Sequence, residues 1–411
     1  MSSVIGTGMH RKSWSWFIGN QFSFGPEAIR QLAGVVHRQS AKRVLLISDK
    51  QLVEVGIVGQ VAAVLEDTEA ECIIFDGGEV EPSTDTVNAV VASAREFQPD
   101  LFVAVGGGSN MDLGKAAVAA YGQDCDPESL FGFDLVPGPM PTLVCIPTTA
   151  GTGSEVTHAA IIKSSSTGKK AGILSQHIRP AIALVDPNLT LSCSSQVTAE
   201  CGIDALTHAT EAYLVKNFYT FEDDHQHGLP YEGNHPLGDM YAEKAISLIG
   251  KHLKQACAKP DILTSRSAMA FAASLAGAAF ASCGVSVAHA LEYPIGSKYK
   301  CSHGAGNGIV LPALLKFWCQ SRQARIAKMA ALLGVPDADK MDEAEAAQAA
   351  IGWIAETRKL IELPTCLRDV GGAESDLDEL AEVTVSLQRL IDLSPVPIAA
   401  PEAKLILQDA L

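Results

Sequence analysis

The stretch Leu101-Phe102-Val103-Ala104-Val105-Gly106-Gly107-Gly108-Ser109-Asn110-Met111-Asp112 decides the fold. Its first five residues are apolar and uncharged, which reads as a short strand buried on both faces. A helical pattern follows over residues 112–120, so three glycines join a strand to a helix. Bare backbone at those glycines lets a diphosphate approach closely, and the helix start offers free N–H groups and the positive end of a dipole. Ser109 and Asp112 also fit a capping box at that start, a role compatible with cofactor contact. The triplet departs from the G-x-G-x-x-G spacing, so it reads as a phosphate loop only in company with other signals.

Outward from it the same alternation repeats. Apolar, β-rich runs occur at residues 43–48, 72–75, 142–146 and 181–185, with helical patterns at 58–66 and 84–96. Such alternation predicts a mostly parallel sheet covered on both faces, with ligands bound beyond the carboxyl ends of its strands. Asp49 closes the first run, where a carboxylate accepts hydrogen bonds from ribose hydroxyls and repels a 2′-phosphate; many strand-ending aspartates merely start a turn. Pro147-Thr148-Thr149-Ala150-Gly151-Thr152-Gly153-Ser154-Glu155-Val156-Thr157 follows the run 142–146. Its hydroxyls interleaved with glycines suit a polar ligand held by backbone and side chains.

After residue 194 strand signals stop. Helical patterns succeed one another at 196–215, 238–252, 266–282, 321–333, 342–360, 374–393 and 402–411, and Asp342-Glu343-Ala344-Glu345 suits a helix N-terminus. The expected organisation is an α/β dinucleotide-binding domain over residues 1–193 and an all-helical domain over 194–411, with a cleft between them.

The helical part carries a second cluster of chemistry. Asp204 and His208 are four apart and share a helix face, one turn above the other. His289 and His303 follow, the latter within Ser302-His303-Gly304. One carboxylate with three imidazoles suits Fe(II) or Zn(II), with room left for a substrate oxygen. Singly, each histidine would serve as a structural residue; the set reads as a metal site. Residues 218–236, rich in aromatics, His, Gly and Pro, read as an irregular loop that covers the metal cleft, and His225, His227 and His235 as loop histidines outside the site.

The 411 residues provide for two cores, and 47% hydrophobic content without low complexity indicates a folded soluble protein. A net charge of -16 with no basic block argues against a nucleic-acid or anionic-membrane partner. Ten scattered cysteines without a C-x-x-C pair read as reduced thiols of a cytoplasmic protein. No apolar leader core is visible in residues 1–20. Residues 267–291 carry no charge, but their Ala, Ser and Gly content reads as a buried helix rather than a membrane span.

Together these residues resemble the iron-dependent (group III) alcohol dehydrogenases, a family related in fold to glycerol dehydrogenase and dehydroquinate synthase. The resemblance covers nearly the whole chain. It runs through Asp49-Lys50, Gly106 to Ser109 with Asp112 and Lys115, Pro147 to Thr149 with Gly151 to Glu155, and Asp186-Pro187. It continues through Gly202 to His208, His289, His303-Gly304 and Leu363-Pro364-Thr365. It implies a Rossmann-like N-terminal domain and NAD(P) held in the cleft by Gly106, Gly107, Gly108, Ser109, Asp112, Thr148, Thr149, Thr152 and Lys170. It also implies one divalent metal on Asp204, His208, His289 and His303, with Fe(II) ahead of Zn(II), and a homodimer. Asp49 places NAD ahead of NADP. The implied reaction is hydride transfer between a nicotinamide and a small primary alcohol or aldehyde. The alternatives are a hydroxyacid–oxoacid transhydrogenase on the same fold and a non-redox lyase of the dehydroquinate synthase type. Two departures stand out: Tyr293, a possible substrate contact, replaces a histidine common in the family, and the 218–236 loop is longer than usual.

Overall fold

Alternate residues of one strand show how the sheet is covered. In the computed structural model, which describes residues 11–17, 21–222 and 230–411, Val44 and Leu46 of strand β2 (Arg43–Ile47) face one core. Helices α1 (Gln31–Gln39) and α3 (Ile57–Glu66) fill it with Leu32, Val35, Val58 and Val61. Leu45 and Ile47 point the other way, into a core filled by Val87 and Val90 of α4 (Thr84–Phe97) and Met111 and Leu113 of α5 (Gly108–Gln123). A strand buried on both faces reads as a continuous apolar run, which is why its sequence carries no alternation. The other members are β1 (Gln21–Phe24), β3 (Glu71–Phe75), β4 (Leu101–Gly106), β6 (Leu143–Pro147) and β9 (Ile182–Val185), in the order β1-β9-β6-β4-β2-β3. Every pairing is parallel. The carboxyl ends therefore share one edge, and Asp49, Gly106 and Thr148 all emerge there.

Four strands were not anticipated: β1 itself, and the two-residue β5 (Gly132–Phe133), β7 (Ala159–Lys163) and β8 (Lys170–Leu174), which form a small second sheet. Their runs are short and mix small, polar and charged residues, so tertiary pairing rather than pattern makes them strands. The short α2 (Lys50–Glu54) follows β2 directly.

The rest of the chain is helical: α6 (Ser195–Leu214), α7 (Pro236–Ala258), α8 (Leu263–Cys283), α9 (Val287–Tyr299), α10 (His303–Leu333), α11 (Glu343–Leu360), α12 (Leu377–Ser386), α13 (Gln388–Ile391) and α14 (Ala400–Asp409). Asp342 closes a capping box with Glu345 at the start of α11. Two expectations need correction. The segment 374–393 is not one helix, because Leu387 (φ -84°, ψ 57°) breaks it between α12 and α13. The pattern at 321–333 is only the distal part of α10, which begins at His303 and kinks at Arg322. Gly304, Gly306, Gly308 and Pro312 hide the first half of α10, and Pro294 hides α9; burial against neighbouring helices outweighs these weak formers. The uncharged stretch 267–291 divides between α8 and α9, which meet at 108°; among the described residues no single helix is long and apolar enough to cross a membrane.

One close approach joins the halves. A Cβ on Gly153 (φ +61°) would lie 2.5 Å from the Gly277 Cα, so the 147–157 loop rests directly on α8. Beside it the Ser274 hydroxyl of α8 donates to Glu155 Oε1 at 2.6 Å.

Candidate metal and cofactor site

Helix α6 starts at Ser194, whose hydroxyl accepts from Val197 N, and runs buried from Gly202 to its end. Its inner face presents Asp204, His208 and, two turns beyond Asp204, Glu211. His289 stands on the first turn of α9 and His303 opens α10. One donor atom from each of Asp204, His208, His289 and His303 lies within 4.8 Å of the others, and all but His303 are buried.

Carboxylates behind the ligands set their orientation. Glu211, with no exposed side-chain surface, accepts from Ser286 N (3.0 Å), Ala288 N (2.7 Å) and His289 Nδ1 (2.6 Å). Glu292 takes His303 Nδ1 at 2.5 Å. Holding the Nδ1 protons leaves the Nε2 lone pairs of both rings facing Asp204. His208 stacks between Phe280 (4.4 Å) and His289 (4.7 Å). The Gly151 backbone lies beside this ring, and its Nδ1 is buried without a hydrogen-bond partner among the described residues, 3.7 Å from Asp204 Oδ2. Asn307, one turn beyond His303, directs Nδ2 at Asp204 Oδ1 (3.0 Å), His303 Nε2 (3.2 Å) and His289 Nε2 (3.4 Å).

The charges match this geometry. Burial opposes ionisation of Asp204, but the three imidazoles outweigh it and hold the carboxyl below its usual range. Burial pushes His208 down to about 3, with the other two histidines adding to it. Burial would lower His303 as well, yet Glu292 and Asp204 together raise it to about 9, so a cation binding at its Nε2 displaces a proton there. An orphaned imidazole nitrogen, a persistent carboxylate and two oriented Nε2 atoms fit a divalent cation: one oxygen and three nitrogens, as Fe(II) or Zn(II) accept.

The glycine triplet and the 147–157 loop face each other. A Cβ on Gly108 would sit 2.7 Å from Thr152 Cγ2, and one on Gly107 would sit 3.5 Å from Thr149 Oγ1. The loops are tied at Thr148 N, which donates to Gly106 O at 2.9 Å. Gly107, not Ser109, is the N-cap of α5. The capping box read between Ser109 and Asp112 is absent: Ser109 Oγ donates to Val80 O. Asp112 turns inward to accept from Ser154 Oγ (2.6 Å) and Ile161 N (2.9 Å). Beside it Lys115, almost wholly buried, donates to Ser154 Oγ, Thr157 Oγ1 and Ala159 O. Asp49 caps α2 by accepting from Leu52 N at 2.9 Å, and Asn110 donates to its other oxygen. Lys170 on β8 is half exposed, 2.7 Å from Glu81, with its charge felt at His303. Tyr293 lies one turn past His289, its ring 6.3 Å from that of His303, and burial pushes its phenol up to about 12.

Of the loop histidines, His235 caps α7 through Gly238 N and meets Ser282 Oγ at 2.9 Å. His225 and His227 lie outside the described residues. Glu211, Glu292 and Asn307 were not singled out from sequence. Their spacing is the available signal: seven after Asp204, three after His289 and four after His303, each on its ligand's own helix face.

The chain matches the iron-containing alcohol dehydrogenase model over residues 19–187 and the C-terminal model of that family over residues 229–411. It is 34% identical to long-chain-alcohol dehydrogenase 1 of Geobacillus thermodenitrificans, over 93% of each chain. It is 30% identical to the mitochondrial hydroxyacid-oxoacid transhydrogenase of Bos taurus, over 92% of this chain and 87% of that one. The structure of a 1,3-propanediol oxidoreductase superposes with a TM-score of 0.90 at 31% identity, covering 97% of this chain and 100% of the other. That of sulfoacetaldehyde reductase from Bifidobacterium kashiwanohense in complex with NAD+ gives 0.84 at 25% identity, covering 97% and 99%. With both models of the family matched and its four metal-type donors in one cluster, the chain belongs to the iron-containing alcohol dehydrogenase family, oxidoreductases acting on CH–OH groups.

Proposed function

We propose that the chain is a metal-dependent, NAD-linked alcohol dehydrogenase or aldehyde reductase for small primary alcohols and their aldehydes, with Fe(II) as its metal. The observation that carries this reading is the four-donor cluster within 4.8 Å, with His208 beside the Gly151 backbone of the loop facing the glycine triplet. Asp204, His208, His289 and His303 would hold the cation, and Gly106 to Ser109 with Thr148, Thr149, Thr152 and Lys170 the nucleotide. When bound, the cation supplies a Lewis acid for the reacting oxygen and the nicotinamide a hydride donor or acceptor.

The chain's own residues do the rest. Glu211 and Glu292 keep two imidazoles in the tautomer that presents Nε2. Phe280 covers the His208 ring and excludes water from that side. Tyr293 remains a phenol at neutral pH, able to donate a hydrogen bond but unsuited to carrying a proton. The sixteen-residue α5 offers its N-terminal N–H groups to a diphosphate. Asp49 retains a lone pair on each oxygen for ribose hydroxyls, and its charge disfavours a 2′-phosphate. Residues 1–193 would carry the nucleotide and 194–411 the metal.

The unpaired cysteines support a cytoplasmic setting, and the charge of -16 supports the absence of nucleic-acid or membrane partners. The open edge of β1, with Phe22 and Phe24 half exposed beside Phe271, supports a homodimer. The bovine relative favours transhydrogenation as a second reading; it would be recognised by turnover without added nucleotide. The test is anaerobic purification with metal analysis, followed by NADH absorbance against a panel of alcohols and aldehydes. Metal-loaded protein that binds NAD yet turns over no member of the panel would overturn the proposal.

A further inference from the structure

Beside the metal cleft lies a cation without a counter-charge. The Arg389 guanidinium sits 5.9 Å over the ring of Tyr231, and that ring lies 6.0 Å from His158. Ser286, three residues before His289, donates its hydroxyl to Leu390 O at 2.9 Å, pinning α13 to the start of α9. Arg389 is near enough to Tyr293 for its charge to act on that phenol, and near enough to His158 to act on that ring. Tyr293 in turn faces His303. Arg389 therefore lies at the junction of α13 and α9, within electrostatic reach of the tyrosine that faces His303.

Two polar groups near this junction, Arg389 and His158, have no hydrogen bond of normal geometry among the described residues. Arg389 is partly buried and makes no hydrogen bond or ion pair among the described residues. Three carboxylates on the surrounding elements are committed elsewhere, Glu211 to His289, Glu292 to His303 and Glu232 to Arg11, and Asp392, three residues along from Arg389, forms no ion pair with it. His158 is 1% exposed, and neither ring nitrogen closes a hydrogen bond of normal geometry among the described residues. A cavity of about 290 Å³ opens along residues 386–390. A guanidinium held in a partly dehydrated place without an anion is costly, and its planar fork matches an oxyanion in two-point contact.

We propose that Arg389 binds the anionic end of the substrate, so that the alcohols and aldehydes this enzyme prefers carry an oxyanion group, such as a carboxylate, distal to the reacting carbon. This rests on the dehydrogenase reading above and narrows its substrate class. His158 supplies a neutral hydrogen-bonding group at the same end.

The test uses a matched series of straight-chain aldehydes, each neutral and ω-carboxylated, with the holoenzyme, Arg389→Gln and Arg389→Lys. Binding of the ω-carboxylated alcohol to the enzyme–NADH complex, read by protein fluorescence, gives a measure independent of turnover. The wild type should favour the carboxylated member by at least about tenfold in kcat/KM. Arg389→Gln should reduce that ratio about 10–100-fold, through KM and with a parallel loss of alcohol binding. Arg389→Lys should recover part of it. Neutral turnover without carboxylate preference, or a ratio unchanged in Arg389→Gln, overturns the inference alone. No turnover of either series overturns the dehydrogenase reading and this inference with it.

Discussion

Replacing Glu211 by Gln tests whether the site's chemistry is set by the carboxylates behind the ligands. Glu211 Oε2 accepts from both Ser286 N and His289 Nδ1, while Oε1 accepts from Ala288 N. An amide keeps one oxygen, so one end must present an NH2 to N–H donors whichever way it turns. If the NH2 faces Ala288, one charge-assisted bond is lost; if it faces His289, two are lost and the ring is free to change tautomer. Each such bond contributes about 1.5–3 kcal/mol. Loss of the bond to His289 therefore weakens metal affinity about 10–100-fold, the range found when such supporting carboxylates are removed. Competition of the protein with a chelator for Zn(II), at fixed pH, measures this directly. A cycle with His289→Ala separates the metal effect from the loosened start of α9: if Glu211 acts through His289, the two losses of affinity are far from additive. Wild-type affinity in Glu211→Gln would refute the argument.

Four further outcomes follow from the same geometry. His303→Ala should lower metal retention in dialysed protein and nearly abolish turnover; an active, metal-free variant would contradict its assignment as a ligand. Asp49→Gly should improve NADP efficiency relative to NAD and cost only about 0.3 kcal/mol of stability through the lost cap on Leu52 N, since glycine is itself tolerated at that position; an unchanged NADP/NAD ratio would remove Asp49 from cofactor selection. Lys115→Met strips the partner from Asp112 and three acceptors, and should destabilise the fold by about 3–5 kcal/mol in denaturant titration; a shift below about 1 kcal/mol would mean the network is dispensable. His158 is held down to about 3 by burial, with Arg179 adding to it, against 6.5 in the unfolded chain. Its contribution is therefore complete above about pH 6.5 and falls as the unfolded chain gains a proton below that, at up to about 1.4 kcal/mol per pH unit. Between about pH 6 and 5 His158→Leu should show a shallower loss of stability than the wild type; parallel curves would place the acid sensitivity elsewhere.

What the sequence disclosed depended on whether burial leaves a regular mark. The central strands were legible because a parallel strand buried on both faces must be apolar throughout, as at Leu101 to Val105. The starts of α6 and α11 were legible to within a residue or two because a capping side chain, Ser194 or Asp342, precedes each helical pattern. Helices α9 and the first half of α10 were not, since Pro294, Gly304 and Pro312 serve close packing rather than helix propensity. The four clustered donors showed through residue type and spacing. Their partners did not, because a buried Glu such as Glu211 looks in sequence like any helical surface charge. Asp112 misled for a related reason: its position suits a cap, but the Ser154 hydroxyl and Ile161 N–H draw it inward.

The most direct test of the central claim is anomalous X-ray scattering at the Zn edge from Zn-loaded crystals. A single strong peak should lie among Asp204, His208, His289 and His303, within bonding distance of all four, and vanish in Asp204→Ala. A peak elsewhere, or none at saturating metal, would contradict the account.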